Sequence, residues 1–236
     1  PGAFDDVADV RLLDTRQSER PGAGSQTVIH GIPNSSAVIS ITVTQTTGWG
    51  YVQVLACGAT PGGSSNLNAD SPFQTRAALT VVQFAADGTA CIFNETPTHI
   101  IADLQGYFTP GAFDDVPDVR LADTRSGARP TQDSQVPVAG EAGRSALVSV
   151  VATDASGAGY MQVLPCGGAA GATSNVNTDR AGQTIANLAT VPISADGTAC
   201  IYTSVSTHVI VDLQGYFATG TFEDIPDARL IDTRSR

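Results

Sequence analysis

Lysine is missing from this chain of 236 residues, which carries 12 arginines against 23 acidic residues and a formal net charge of −11. A surface with this charge repels nucleic acid phosphates and anionic lipid headgroups, so we expect no nucleic acid partner. The missing lysine also excludes the Lys–Asn isopeptide crosslinks that stabilise some surface fibres.

Long hydrophobic runs and helical periodicity are missing as well. No apolar run approaches the roughly 18 residues that a membrane span needs, so we expect no membrane insertion. No segment keeps helical spacing over three turns. Apolar and polar residues alternate instead, so that Ile39, Ile41 and Val43 share one face while Ser40 and Thr42 share the other. This period of two predicts β-strands.

The motifs of common hydrolases and phosphate-binding enzymes are also missing. The chain has no Gly-x-Ser-x-Gly, no His-Glu-x-x-His and no phosphate-binding loop. Its histidines are His30, His99 and His208, of which the last two open equivalent strands. Asp103 follows His99 by four residues, which on a strand is about 13 Å and too far for a catalytic dyad. We expect packing or capping histidines and no enzyme.

The chain instead contains a tandem repeat, with two full copies and the start of a third. The motif at residues 4–16 returns at 113–125 and at 222–234, with a constant offset (113 − 4 = 109 and 222 − 113 = 109). A period of this length is a whole domain, because solenoid repeats have only about 20–50 residues. We predict two modules and the start of a third repeat, at residues 1–109, 110–218 and 219–236.

Short apolar runs in each module, separated by gaps rich in Gly, Ser and Thr, predict about seven or eight strands. The fold class is therefore all-β: two tandem antiparallel β-sandwiches, either immunoglobulin-like or jelly-roll-like, followed by the first strand of a third repeat. Asp87-Gly88 and Asp196-Gly197 indicate β-hairpin turns. The joints at 108–113 and 217–222 are short, so neighbouring modules should lie close together.

Four cysteines form two identical pairs, because 91 − 57 = 34 and 200 − 166 = 34. We predict the disulfides Cys57–Cys91 and Cys166–Cys200, each bridging the two sheets of its module; buried free thiols are the alternative. Closing a loop of this length stabilises a module by about 3–4 kcal/mol. Disulfides indicate an oxidising compartment, so we expect an extracellular or cell-surface protein.

The repeated Arg-Leu-x-Asp-Thr-Arg motif predicts ion pairs. A carboxylate lies in the middle of the last apolar strand, where it is costly without a partner. Pairing with an arginine of the first strand would pin the two strands together, whereas a ligand-binding carboxylate is the alternative. Strict alternation places Leu12 and Leu13 on opposite faces of this strand. The candidate ion-pair residues are Arg11, Asp14, Arg16 and Asp103 with their copies Arg120, Asp123, Arg125 and Asp212.

Carboxylates also cluster where each module begins. Clustered oxygens at a joint could hold Ca²⁺, which takes six to eight oxygen ligands, although the spacing matches no EF-hand loop. The other interpretation is a solvated acidic linker with turn-forming aspartates. The candidate ligands are Asp5, Asp6 and Asp9 with their copies Asp114, Asp115 and Asp118.

A polar Ser-Asn-x-Asn pattern lies between two predicted strands of each module. Its asparagines either fix a turn or hydrogen-bond a sugar, beside a repeated tyrosine that could serve as an aromatic platform. Against sugar binding, aromatic residues make up only 6% of the chain. The candidate glycan contacts are Tyr51, Asn66 and Asn68 with their copies Tyr160, Asn175 and Asn177.

Several ordered motifs together resemble a tandem module of large secreted or cell-surface proteins of high-GC, actinobacterial-type bacteria. They are the arginine motif at 11–16, Val54 to Gly58, 65–68, Ala86 to Phe93 and Thr98 to Phe108. The resemblance covers both complete modules and the partial third. It implies an extracellular accessory module, often in many copies, and no catalytic residues.

These observations favour a non-catalytic extracellular structural or adhesive repeat protein, as the building unit of a surface fibre assembled head to tail. Its partners would be neighbouring copies of itself or other modules of a longer chain. The trailing segment at 222–236 has no module body of its own, so it could join modules as an added strand. The alternative is a pair of carbohydrate-binding modules in a secreted or cell-wall protein.

Overall fold

The computed structural model describes residues 2–171, 173–225 and 228–233, and only the backbone of Asp9, Pro117 and Asp118. The strands of the first module are β1 (Phe4–Asp14), β2 (Ser25–His30), β3 (Ser36–Thr44), β4 (Gly50–Leu55), β5 (Leu67–Ala69), β6 (Arg76–Gln83), β7 (Thr89–Asn94) and β8 (His99–Phe108). Those of the second are β9 (Phe113–Asp123), β10 (Ser134–Ala139), β11 (Ser145–Thr153), β12 (Gly159–Leu164), β13 (Val176–Thr178), β14 (Ile185–Pro192), β15 (Thr198–Thr203) and β16 (His208–Phe217). Short 3-10 turns follow β1 and β9, at Thr15–Gln17 and Thr124–Ser126.

Each module is a sandwich of two antiparallel four-stranded sheets. In the first module the strand orders are β1-β8-β3-β6 and β2-β7-β4-β5, and in the second they are β9-β16-β11-β14 and β10-β15-β12-β13. Within the part of the chain that the structure describes, no strand is shared between the modules in these sheets. The predicted all-β class is confirmed, with eight strands in each module among the described residues.

Alternation along the strands places the core between the two sheets. In β3 every second residue is buried, and Ile39, Ile41 and Val43 have no exposed surface. They pack against residues of the opposite sheet, including Val52 and Ile92. Because β-branched side chains fit a pleated, half-buried surface well, this composition supports the strand conformation as well as the core.

Both predicted disulfides are confirmed, but the expectation that they bridge two sheets is wrong. Cys91 lies in β7, and Cys57 follows the end of β4, which is the neighbour of β7 in the same sheet. Leu55 already pairs with Cys91, and a turn in which the Ala59 amide donates to the Ala56 carbonyl lies just beyond it. The bond therefore fastens the loop after β4 to its own sheet, and Cys166–Cys200 repeats this arrangement.

The Asp-Gly turns form, but they do not make hairpins. The Gly88 amide donates to the Ala85 carbonyl, and the Asp87 carboxylate accepts from the backbone and hydroxyl of Thr89. However, β6 and β7 on either side belong to different sheets. The turn carries the chain across the sandwich because β7 pairs with β2 and β4, whereas β6 pairs with β3.

The acidic stretch at the start of each module is a strand, and the interpretation as an acidic linker is wrong. Phe4 and Asp6 pair with Phe108 and Gly106, so β1 begins at Phe4. Gly106 allows this approach, because a Cβ there would lie 2.5 Å from the Phe4 ring and the Asp5 carbonyl.

Strict alternation also fails within β1. The register shifts between Arg11 and Leu13, so Leu12 and Leu13 both pack against the core instead of facing opposite ways. A bulge of this kind places two residues of one strand opposite one of its partner.

The segment of the third copy, residues 219–236, forms no strand within its described parts, 219–225 and 228–233. The predicted first strand of a third repeat is therefore absent from those residues. The two complete copies show the physical reason: β1 and β9 each pair with the last strand of their own module. The described ranges contain no helix that could pass through a bilayer.

Candidate functional site at the module interface

The arginine motif ties the first strand of each module to its last strand. The Arg11 guanidinium donates to Asp103 across the strands and, at 2.7 Å, to Asp14 in the same strand. Arg16 donates to Asp14 at 2.6 Å, and this hydrogen bond lowers the pKa of the Asp14 carboxyl. The hydrogen bond to Asp103 raises the pKa of Arg11.

The second module repeats this network with the same geometry. Arg120 donates to Asp212 and Asp123, and Arg125 donates to Asp123 at 2.6 Å. The bond from Arg125 lowers the pKa of Asp123. All eight candidate ion-pair residues are thus brought together in two equivalent clusters.

Two histidines lie beside these clusters and contact threonines. The His99 ring and the Thr15 hydroxyl are 3.1 Å apart, and Thr15 also accepts a hydrogen bond from the Ile100 amide. His208 and Thr124 are arranged in the same way at 3.2 Å. Each threonine closes the 3-10 turn onto the last strand, so the arrangement orders the backbone.

An aromatic and aliphatic cluster joins the modules. Phe108 and Phe113 stack with their ring centres 4.4 Å apart, and Phe217 packs edge-on against both. Val81 of the first module and Leu147 of the second are buried in the same cluster. Stacked and edge-on aromatic pairs are each worth about 0.5–1.5 kcal/mol beyond the area that they bury.

Polar contacts surround this cluster. Ser149 donates to the Ser65 carbonyl at 3.1 Å, and Arg120 donates to the Gly63 carbonyl in addition to its carboxylate partners. Asp70 of the first module and Arg180 of the second form an ion pair at 3.2 Å. The loop and strands at 63–81 thus dock onto the outer face of the sheet that contains β16 and β11.

Docking buries side chains of the second module that are more exposed in the first. The Asp212 side chain is 2% exposed, whereas its copy Asp103 is 25% exposed. Leu79 in the first module is 43% exposed, and its copy Leu188 packs against the interface cluster. Because the sequences align without gaps, these differences report the contact between modules.

The joint after the first module and the joint after the second module have the same geometry. The Ala112 amide donates to the Thr109 carbonyl at 2.9 Å, and the copy of this bond, from Thr221 to Ala218, measures 3.0 Å. Phe222 stacks on Phe217 with centres 4.3 Å apart, as Phe113 does on Phe108. The joint geometry is therefore repeated where the third copy begins.

A second contact is repeated across the two joints. Ser36 of the first module donates to Asp115 of the second at 3.3 Å, and Ser145 donates to Asp224 of the third copy. The offsets agree, because 145 − 36 = 109 and 224 − 115 = 109. The beginning of the third copy therefore contacts the second module as the second module contacts the first.

The acidic residues considered for Ca²⁺ are not brought together within the described residues. No group of three His, Cys, Asp or Glu side chains suited to a metal occurs there. Asp114 instead pairs with Arg144 at 2.5 Å, and Asp115 accepts from Ser36. The side chains of Asp9 and Asp118 lie outside the described residues.

The asparagines considered for glycan binding divide into two groups. The Asn66 side chain is buried, accepting from the Val54 amide and donating to the Thr80 hydroxyl. Its copy Asn175 accepts from the Val163 amide. These two residues fix the backbone of the adjoining strands.

Tyr51 and Asn68 instead line a crevice of about 170 Å³ between the modules, together with Arg120 and Asp212. Their copies Tyr160 and Asn177 do not line this crevice. Both tyrosines pack against the equivalent aromatic ring of their own module, Tyr51 against Phe93 at 5.5 Å and Tyr160 against Tyr202 at 5.8 Å between ring centres. The candidate residues of the first module therefore differ in surroundings from those of the second.

The interface residues were not identified from sequence, although β11 carries a signal for them. Its residues 146–152 are all buried, whereas the equivalent strand β3 alternates between buried and half-buried residues. The outward positions hold Leu147 and Val151 where the first copy has Val38 and Thr42. A strand that is apolar on both faces is covered on both faces. Comparison of the two copies could have indicated which outer face is docked.

Two comparisons with known proteins gave no relative. No protein-family model matches the chain. A search of curated proteins also finds no match.

Proposed function

We propose that this chain is a non-catalytic structural repeat protein that builds stiff, linear, head-to-tail arrays, as the unit of an extracellular fibre. The observation that carries the proposal is the repeated joint, since Phe222 and Asp224 contact the second module as Phe113 and Asp115 contact the first. One contact geometry applied repeatedly generates a filament unless it closes into a ring.

The interface supports an array with little bending between modules. Stacked phenylalanines, an ion pair and backbone-directed hydrogen bonds fix the second module against the first on several sides. A joint that was only a tether would leave both surfaces in water. The proposed role of the interface is therefore to fix the orientation of each module relative to the module before it.

The two disulfides indicate a non-reducing setting. We propose specifically an extracellular or cell-surface location, which agrees with the resemblance to modules of large secreted proteins. The net charge of −11 would keep separate filaments apart through mutual repulsion.

Negative-stain electron microscopy of the purified chain over a concentration series tests the proposal. We expect straight linear particles that lengthen with concentration and show a regular spacing of one module. Two-module particles with variable angles between the modules, at every concentration, would contradict it.

Carbohydrate binding is the second candidate function, supported by the crevice that Tyr51 and Asn68 line between the modules. Its polar walls include Arg120 and Asp212, and a sugar could stack on Tyr51. A glycan array followed by titration of any hit tests this. Binding that is lost in Tyr51→Ala and kept in Tyr160→Ala would support the crevice, and an array without hits would exclude the function.

A further inference from the structure

A second crevice between the two complete modules, of about 470 Å³, adjoins the one that contains Arg120. Its walls include Trp49 and Glu95 of the first module and Thr184 of the second. Tyr51 lines both crevices, as do Asn68 and Thr184. The two crevices therefore form one groove along the joint between the modules, which we call the joint groove.

Trp49 is the single tryptophan of the chain, and it is 77% exposed where it lines the joint groove. The loop that carries Trp49 is held in place by the turn after β7. The Thr47 amide donates to the Pro97 carbonyl at 3.0 Å, and the hydroxyls of Thr47 and Thr96 are also 3.0 Å apart. An indole ring on an ordered loop offers a ligand a flat apolar face at a low cost in conformational entropy.

Three polar side chains of the joint groove have hydrogen-bonding capacity that the described part of the chain does not use. The Tyr51 hydroxyl and the Glu95 carboxylate have no hydrogen-bond partner there. Asn68 accepts from the Ser65 hydroxyl at 3.2 Å, but its side-chain NH₂ group donates to none of the described residues. Burial and the charge of Glu95 raise the pKa of Tyr51, so its hydroxyl keeps its proton as a donor.

A sugar fits these groups better than a charged ligand does. A sugar hydroxyl can accept from Tyr51 and Asn68 and donate to Glu95, whereas an ammonium ion can accept from neither donor. Arg120 and Arg125 line the adjoining part of the groove, and their charge disfavours a cation. The net charge of −11 disfavours a polyanion. These charges favour a neutral ligand.

We infer that the joint groove binds a neutral oligosaccharide of pyranose units with equatorial substituents, one of which stacks on Trp49. Such a unit has a flat face of C–H groups that matches the face of an indole ring. The inference rests on the second candidate function, carbohydrate binding, and adds to it a class of sugar and two contacts, Trp49 and Glu95. Because Thr184 belongs to the second module, the bound sugar contacts both modules.

The second copy of the sequence lacks two of these groups. Ala158 occupies the position of Trp49, and Ser204 occupies that of Glu95 (158 − 49 = 109 and 204 − 95 = 109). The Ser204 hydroxyl accepts from the Tyr160 amide at 2.8 Å, so it is already used within its own module. Residues of the second copy therefore supply matched controls for the first.

Tryptophan fluorescence tests the inference directly, because Trp49 is the single source of the signal. The probes are cellohexaose and chitohexaose, whose rings carry equatorial substituents. We expect a saturable shift of the emission to shorter wavelength with at least one of them, and no response to choline or to oligogalacturonate. No saturable response to either neutral probe at millimolar concentration, or an equal response to a charged one, would overturn the inference.

Isothermal titration calorimetry of variants with the same probes assigns the contacts. Trp49→Ala should weaken binding about ten-fold, and the exposure of this side chain leaves the fold intact. Tyr51→Phe removes only the hydroxyl and should weaken binding about five-fold. Tyr160→Phe is its matched control and should bind as the parent chain does. Parent affinity in Trp49→Ala, or equal losses in Tyr51→Phe and Tyr160→Phe, would contradict the assigned site.

These measurements separate the inference from the proposed functions. Glycan hits that bind Trp49→Ala as tightly as the parent chain would leave carbohydrate binding standing and overturn the site at Trp49. A glycan array without hits, together with no response to the two neutral probes, would remove both. The structural proposal is tested separately by the linear particles in the microscope.

Discussion

Asp103 and Asp212 occupy the same place in two copies of one sequence, yet their side chains are 25% and 2% exposed. Both accept a hydrogen bond from the arginine of the facing first strand. The difference arises because the first module covers Asp212, whereas the residues that the structure describes place no module over Asp103. The equivalent ion pairs therefore differ in setting: the pair of the first module lies at the surface, and the pair of the second module lies at the interface.

This difference predicts that the same Asp→Asn substitution lowers the free energy of unfolding by different amounts in the two modules. Asp103→Asn should lower the free energy of unfolding by less than about 1 kcal/mol, as expected for an exposed pair. Asp212→Asn should cost about 2–3 kcal/mol, below the roughly 3–5 kcal/mol of a fully buried pair because Arg120 stays partly exposed. Urea unfolding of the two variants measures both values, and equal costs would contradict the assigned interface.

Removing one disulfide should destabilise its own module more than the other. Cys57→Ser with Cys91→Ser removes a crosslink between residues that are 34 positions apart. This should lower the free energy of unfolding of the first module by about 3–4 kcal/mol. Differential scanning calorimetry should then show a transition at lower temperature that is absent from the parent chain. Cys166→Ser with Cys200→Ser is the matched control, and its early transition should belong to the second module.

Acid should weaken both modules through Asp14 and Asp123. Hydrogen bonds from Arg16 and Arg125 lower the pKa of these carboxyls below the ordinary value of 3.8. Each therefore binds its proton more weakly in the folded chain than in the unfolded chain. Their stabilising effect is complete above pH 3.8 and is lost as the pH falls from there through the folded pKa.

Denaturant unfolding between pH 6 and about pH 2 measures this effect, in the range where carboxyl groups titrate. The stability difference between the parent chain and Asp14→Asn should shrink as the pH falls. Asp123→Asn should behave in the same way in the second module. A difference that stays constant over this range would show that the carboxylates contribute no pH dependence.

High pH should lower the stability of the second module, because Tyr202 then ionises. Its hydroxyl donates to Asp133 at 2.5 Å, and this bond raises the pKa of Tyr202 from 10.0 to about 12. Because the pKa is higher in the folded chain, the stabilising effect is complete below pH 10 and is lost as the pH rises towards 12. The ultraviolet absorbance of tyrosinate follows this titration.

The first copy supplies a matched variant for this test. Asp133 has a positive φ of 61°, and the equivalent residue is Gly24 with a φ of 71°. Asp133→Gly therefore fits the backbone and removes only the carboxylate. We expect the Tyr202 titration to move towards 10.0 in this variant, and an unchanged midpoint would contradict the assigned hydrogen bond.

The sandwich and the ion-pair candidates could be predicted from sequence because they depend on local patterns. Alternation in residues such as Ile39 and Ile41 indicates strands, and a carboxylate in an apolar strand such as Asp103 requires a partner. Strand pairing could not be predicted in this way. The turn chemistry at Asp87 is local, whereas the partner of β7 is set by long-range packing.

The module interface was harder to predict because it uses ordinary residues. Ser65 and Gly63 contribute carbonyl groups, which every residue has. Leu147 is unremarkable in sequence until it is compared with Val38 at the equivalent position. The bulge that turns both Leu12 and Leu13 inward depends on the register with β8, which no local pattern encodes.

The distance between two spin labels, one in each module, tests most directly whether the modules form a stiff array. Gln17 and Ser126 are exposed, equivalent positions (126 − 17 = 109), so Gln17→Cys with Ser126→Cys measures one repeat step. Pulsed electron spin resonance should give one narrow distance distribution. A broad distribution, as expected for two sandwiches on a flexible tether, would contradict docking between the modules and with it the proposed array.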